Sequence, residues 1–299
     1  MPSPLVKKLL RVAMLVVVLA ATAVAIARSD PRAIGRALAG MSWRWATVAA
    51  LLNMLGVVID AMRLRIIARA AARVGAWHAL QAQLVGIVGN VLFPFKLGEG
   101  ARAYMLTRTS DISTSSAVKI VLADRIVDAL VLPIFVVCAS VLLPLPASVL
   151  RYRGWMLASA AVTSVAVVAV GRHRARLAAA IAASLASWTA RGTILWCMLQ
   201  AFGLVLPLSA TVTMLVIVNL GIAIVATPGN VGSFELASAA ALALWNVPAD
   251  RAFSVGIATH LVEVVPPVLI GLVVGGGSWW MAGPPSPGSW APAGPAPRT

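Results

Sequence analysis

Acidic residues are scarce in this chain: nine Asp and Glu stand against 24 Lys and Arg in 299 residues, a formal net charge of +15. Charge of either sign is thin, at 11% of residues, whereas 61% are hydrophobic. That balance excludes a disordered chain, whose composition runs the other way. A cationic excess raises nucleic-acid binding as a reading. The basic residues lie in short segments between apolar runs, however, where orientation signals and anionic lipid headgroups account for them, and nucleic acid is rejected. Cysteine is nearly absent. Cys138 and Cys197 both fall in apolar runs, form neither a metal pattern nor a disulfide framework, and are expected to be buried. Also missing are a nucleotide-binding loop, a Gly-x-Ser-x-Gly nucleophile elbow and a His-Glu-x-x-His zinc motif. No metal, cofactor or catalytic residue is expected.

What the chain has is apolar length. Runs near Leu9–Ala27, Trp45–Met62, Ala117–Leu143, Trp155–Gly171, Trp188–Leu206 and Ala252–Val274 are each about the 20 residues a membrane span needs. The first has signal-peptide features but is long for one and is expected to be retained. Most tryptophans, among them Trp43, Trp45, Trp77 and Trp188, flank these runs and read as interface anchors. Gly283–Thr299 is rich in Pro and Gly and reads as a disordered tail. The expected fold is an all-α polytopic membrane bundle of about six spans plus two re-entrant hairpins, with 1–282 as one membrane domain and 283–299 as the tail.

The hairpins come from two interruptions. Asn90-x3-Pro94-x-Lys96-x-Gly98-Glu99-x2-Arg102 ends the apolar stretch Ala79–Pro94, and Thr227-Pro228-Gly229-x2-Gly232-x2-Glu235 ends Ala210–Thr227. Pro, Gly and charge belong in lipid-facing helix only where protein or water satisfies them. Corresponding breaks in two halves of a membrane protein mark a binding site made by broken helices. Cationic loops place the N-terminus in the cytoplasm: Lys7, Lys8 and Arg11, then Arg63, Arg65, Arg69 and Arg73, then Arg172, Arg174 and Arg176 fall on one side. The two hairpins then enter from opposite sides, in an inverted repeat of 45–143 and 188–274 whose tips meet near the midplane.

Charges within apolar segments supply the candidate site. Glu99 and Arg102 are three apart and can pair; with Lys96 and a helix start they favour an anion such as a lipid phosphate, although Lys96 and Arg102 can also simply snorkel. Asp124-Arg125-x2-Asp128 lies on a helix that Ser113 or Thr114 can cap, about 15 Å from its start. There Arg125 can pair with Asp128, and the cluster either serves the site or glues helices together. His260 and Glu263, also three apart, can form a proton-linked or merely structural pair. Glu235 is the counterpart of Glu99, and is free to meet a cationic group or to neutralise Arg102 or Arg125.

Taken in order, these three blocks resemble the membrane region of lysylphosphatidylglycerol synthases and related stand-alone flippase-like membrane proteins. The likeness spans roughly Met62 to Val274, with Asp124 where the family has glutamate and His260 where it often has arginine. The full synthases carry a soluble aminoacyl-transferase domain that has no counterpart after Gly283, so the chain is not expected to be an enzyme. The resemblance implies a lipid-handling role: binding a phospholipid or polyprenyl phosphate and moving it between leaflets of the bacterial inner membrane. In that reading Lys96, Arg102 and Arg125 hold phosphate, while Glu99, Glu235, Asp124 and Asp128 balance charge. Two alternatives stay open. One is an accessory subunit for a lipid-modifying or glycosyl-transferring enzyme. The other is an intramembrane phosphatase resembling undecaprenyl-pyrophosphate phosphatases, whose serines, histidine and additional arginine are missing from these breaks.

Overall fold

A computed structural model describes residues 31–69, 71–92, 97–110, 112–143, 174–224 and 227–281, with isolated positions between 147 and 161. The first apolar run, nearly all of Trp155–Gly171, the C-terminal tail, and residues 93–96 with Pro94 and Lys96 lie outside the described residues. The continuous segments form nine α-helices and, among the described residues, no strand. They are α1 (Pro31–Ala39), α2 (Trp43–Ala68), α3 (Ala76–Leu92), α4 (Gly98–Thr109), α5 (Thr114–Leu142), α6 (Arg174–Ala201), α7 (Leu208–Ile224), α8 (Ser233–Ala243) and α9 (Ala249–Met281). A 3₁₀ turn, Pro228–Asn230, joins α7 to α8.

Helix boundaries follow local chemistry. The side chain of Ser113 accepts the Ser116 N–H at 3.3 Å and caps α5 as expected. Helix α6 begins at Arg174 rather than near Trp188, because the alanine-rich stretch 178–186 is strong helix former and carries the helix upstream. Likewise α2 runs on past Met62 to Ala68 and takes in Arg63 and Arg65, so those cations belong to a helix and not to a loop. By length and composition α2, α5 and residues Ala249–Val274 of α9 can each cross a membrane. Helix α6 is as long but less apolar, and α7 and α8 are shorter apolar helices.

The outer surface is the apolar one. Leu51, Leu55 and Val58 on α2, Val118, Leu122 and Ile126 on α5, and Leu261, Val265 and Leu269 on α9 all point outward at helical spacing. Arg63, Arg102, Asp124 and Asp128 are buried instead. Polar inside and apolar outside is the arrangement a lipid solvent selects. Cys197 is buried, while Cys138 lies exposed on the outer face of α5 and departs from the expected burial.

Helices α2 and α6 form the centre and run antiparallel: Trp45 meets Trp196 edge to face at 5.3 Å, and at the other end Arg63 reaches Ser184. Around them the packing is reciprocal. Helix α3 packs on α2 and α4, while α7 packs on α6 and α8; α4 lies on α5, and α8 on α9. Helix α3 crosses to α9, and α7 to α5. The first hairpin closes through direct backbone approach. A Cβ on Gly98 would run into the Asn90 backbone and side chain, and one on Gly89 would sit 2.7 Å from the Gly98 Cα. In the second hairpin the bend is conformational: Gly229, Asn230 and Gly232 have φ of 59°, 60° and 84°, a region glycine enters without steric cost and asparagine tolerates.

Candidate functional site

The first hairpin is held by ion pairs. Asn90 accepts the Gly98 N–H at 3.0 Å and donates its own amide to Glu99 at 3.3 Å, stitching α3 to the start of α4. Glu99 then pairs with Arg125 at 3.1 Å and, more loosely, with Arg102 at 3.5 Å. The fully buried Arg102 directs Nη2 at Asp124 at 2.8 Å. Arg63, with no exposed surface, takes the other Asp124 oxygen at 2.8 Å, Asp128 at 2.5 Å and Asp60 at 3.2 Å, and donates to Ser184 at 3.1 Å. Asp60 ends the chain on Arg191 at 3.0 Å. Four carboxylates thus face four guanidiniums across α2, α4, α5 and α6. Each isolated charge in hydrocarbon would cost about 2.5–3.5 kcal/mol on the lenient scale, so their mutual neutralisation is what permits this burial.

The second hairpin is held by one imidazole. Glu235 accepts the Gly232 N–H at 2.7 Å, satisfying the free start of α8, and its other oxygen lies 2.6 Å from His260 Nδ1. His260 Nε2 faces the Gly229 carbonyl oxygen at 2.8 Å, and Phe234 stacks on the ring at 4.7 Å. Both nitrogens meet acceptors, yet a neutral imidazole donates from only one. The contacts therefore require one proton held between Nδ1 and Glu235, which leaves the pair neutral overall. Ser233 donates to the Asn230 carbonyl at 2.9 Å and contacts Thr227 at 3.2 Å, closing the turn.

Between the two tips lies a cavity of about 220 Å³. Asn90 and Val91 border it from the first hairpin, and Gly229, Asn230 and Phe234 from the second. Asn53 and Asp60 of α2, Gln83 of α3, Ser187 and Arg191 of α6, and His260 and Glu263 of α9 complete the polar wall. One water needs only about 10–15 Å³ of such space, so the volume admits a small polar headgroup. Among the described residues Arg191 is the cation in this wall, with its guanidinium 5.1 Å over the Trp188 ring and its side chain 38% exposed.

The structure rearranges several expected pairs. Glu99 and Arg102 do meet. Arg125 reaches Glu99 and not Asp128, whose partner is Arg63. His260 pairs with Glu235 instead of Glu263, because the second hairpin folds its glutamate over α9; Glu235 consequently reaches neither Arg102 nor Arg125. Arg102, Asp124, Arg125, Asp128, Glu99, Gly98 and Gly232 are not among the cavity-lining residues, whereas Asn90, Gly229, His260 and Glu263 are. Pro228 opens the turn at the cavity's edge and Glu235 braces His260. Trp188 is buried, its indole N–H directed to the Asp128 carbonyl at 3.4 Å, and is no interface anchor. Among the described residues no group of His, Cys, Asp and Glu is arranged to hold a metal ion.

The residues missed in sequence are Asn53, Asp60, Arg63, Gln83, Ser187 and Arg191. Asp60 and Arg63 carried a signal, an i, i+3 charge pair at the end of an apolar run. Arg191 carried another as a lone arginine inside one.

The family model for the lysylphosphatidylglycerol synthase TM region matches residues 10–172 and 169–271. No curated protein matches the chain. The chain belongs to that family: it is a multi-pass helical membrane protein tied to lipid handling.

Proposed function

We propose, taking that membership as the premise, that the protein binds the headgroup of a phosphate-bearing lipid between its two hairpin tips and carries it between leaflets. The observation that supports this reading is the polar cavity of about 220 Å³ at the meeting point of two broken helices, with Arg191 in its wall. Polar backbone and charge inside a membrane bundle cluster where a substrate passes. The reciprocal packing of α2–α5 and α6–α9, with antiparallel α2 and α6, supports an inverted repeat, which would open the cavity to either side in turn.

In this scheme the anion-holding role moves from the expected arginines to Arg191. Arg102 is committed to Asp124, and Arg125 to Glu99; both position the first hairpin. Arg191 shares one carboxylate, Asp60, with Arg63 and retains donors for a phosphate. The membrane unit of residues 1–282, the inner-membrane location and the cytoplasmic N-terminus remain part of the proposal, as do anionic phospholipid or polyprenyl phosphate as cargo, a lipid-modifying enzyme as partner, and no catalysis by this chain.

Reconstitution into vesicles carrying fluorescent phospholipids and a polyprenyl phosphate tests the reading. Leaflet exchange above that of empty vesicles is expected, falling at least tenfold in Arg191→Ala. Exchange unaltered by Arg191→Ala, or equal to empty vesicles for every lipid, rejects the assignment.

A further inference from the structure

We infer that the cavity holds a monocation-binding position at Glu263, in the wall it shares with Arg191. The inference rests on the headgroup reading above and adds the second half of the ligand's charge.

The argument begins with the charges that face the cavity from each helix. From α2, Asp60 is neutralised by Arg63 and Arg191; from α6, Arg191 is neutralised by Asp60. From α8 and α9, Glu235 and His260 form the neutral pair already described. Glu263 of α9 lines the same cavity, and its carboxylate makes no ion pair or hydrogen bond with the described residues. Its backbone carbonyl is fixed by Asn53 at 2.8 Å, which anchors the residue to α2. The charges of Arg191 and His260 act on it without touching it, and a carboxylate in a membrane interior with no cation in contact leaves a place for one.

Further unpartnered atoms in the same cavity wall are oxygens. Gln83, 5% exposed, and Ser187, 1% exposed, line the cavity with Oε1 and Oγ lacking any hydrogen-bond partner. Buried oxygens without donors are rare and call for a ligand. Carboxylate, carboxamide and hydroxyl oxygens from α3, α6 and α9 make an acceptor set suited to a hard monocation or to an ammonium's three N–H donors. Arg191 supplies the complementary anion contact. The cation offsets Glu263 itself, and it arrives as a separate Na⁺ or proton, or as an amine on the headgroup whose phosphate meets Arg191.

Thermal unfolding of purified protein in detergent separates these sources without relying on transport. Three conditions are compared at fixed ionic strength. They are NaCl against N-methylglucamine chloride, pH 6 against pH 8, and short-chain phosphatidylethanolamine against phosphatidylglycerol. A gain of about 3 °C at saturation is expected in one arm, abolished in Glu263→Gln and retained in Glu263→Asp. Gln83→Met should weaken the same response. A response in wild type that persists undiminished in Glu263→Gln, or no response in any arm, overturns the position. In the salt and pH arms Arg191→Ala keeps the cation response in this scheme while losing lipid exchange. Absent exchange with an intact Glu263 response therefore rejects only the transport reading.

Discussion

Glu99 in the first hairpin leans on two guanidiniums and an asparagine, whereas Glu235 in the second leans on one imidazole and the start of its own helix. The layouts otherwise correspond: apolar helix, break, glycine, glutamate, short helix. The difference is in the kind of charge. Arginine keeps its proton under all ordinary conditions, so the first hairpin is fastened by pairs that solution chemistry does not undo. The second is fastened through a single proton shared by one imidazole and one carboxylate. Its tip also rests on positive-φ residues rather than on interlocked backbone.

Removing Arg63 breaks this comparison most severely. Arg63→Met leaves Asp128 without a cation and Asp60 and Asp124 with one each. Breaking a buried charge network from one side costs about 3–5 kcal/mol. Unfolding in detergent should show a loss of this size. A loss under about 1 kcal/mol would mean that the ion-pair chain does not hold the first half. The second hairpin should yield less. A double-mutant cycle of His260→Gln and Glu235→Gln is expected to give a coupling of about 1.5–3 kcal/mol, the range for hydrogen bonds to charged groups. Coupling near zero would mean that the His260–Glu235 pair does not hold that tip, leaving it to the turn conformation and the Ser233 contacts.

Much of this architecture is legible in sequence because membrane solvent imposes long apolar helices and makes each break conspicuous. Pro228, Gly229 and Gly232 mark their turn by backbone preference alone, and Glu99–Arg102 is a pair that helical spacing predicts. Charges that pair across helices were the difficulty. Arg63 sits beside Arg65 and Arg69 at the end of an apolar run, and one-dimensional context assigns all three to an interface. Only the approach of α5 shows that Arg63 turns inward. His260 likewise has Glu263 at the right spacing on its own helix, yet a hairpin tip folding back over α9 offers a nearer carboxylate. Local spacing states which pairs are possible; tertiary packing chooses among them.

The smallest effect discriminates best between the two sorts of arginine in the first half. Arg102 follows the break on α4 and Arg125 lies on α5; both contact Glu99, and sequence alone offers both as phosphate contacts. Burial does not: the Arg102 side chain is 1% exposed and that of Arg125 is 39% exposed. Arg125→Ala removes one half-exposed pair, and Glu99 keeps Arg102 and Asn90. The expected cost is about 0–1 kcal/mol, fading as salt rises, against about 1.5–3 kcal/mol for Arg102→Ala, which takes one of two guanidiniums from the buried Asp124 and leaves it Arg63. Detergent unfolding of both variants at low and high salt measures the ratio. If Arg125→Ala leaves stability near wild type yet slows lipid exchange, Arg125 is a phosphate contact at the lipid-facing side of the first hairpin, and headgroup recognition extends beyond the cavity. If exchange is also unchanged, recognition stays with Arg191, and the exposed arginine is only the outer end of the ion-pair chain.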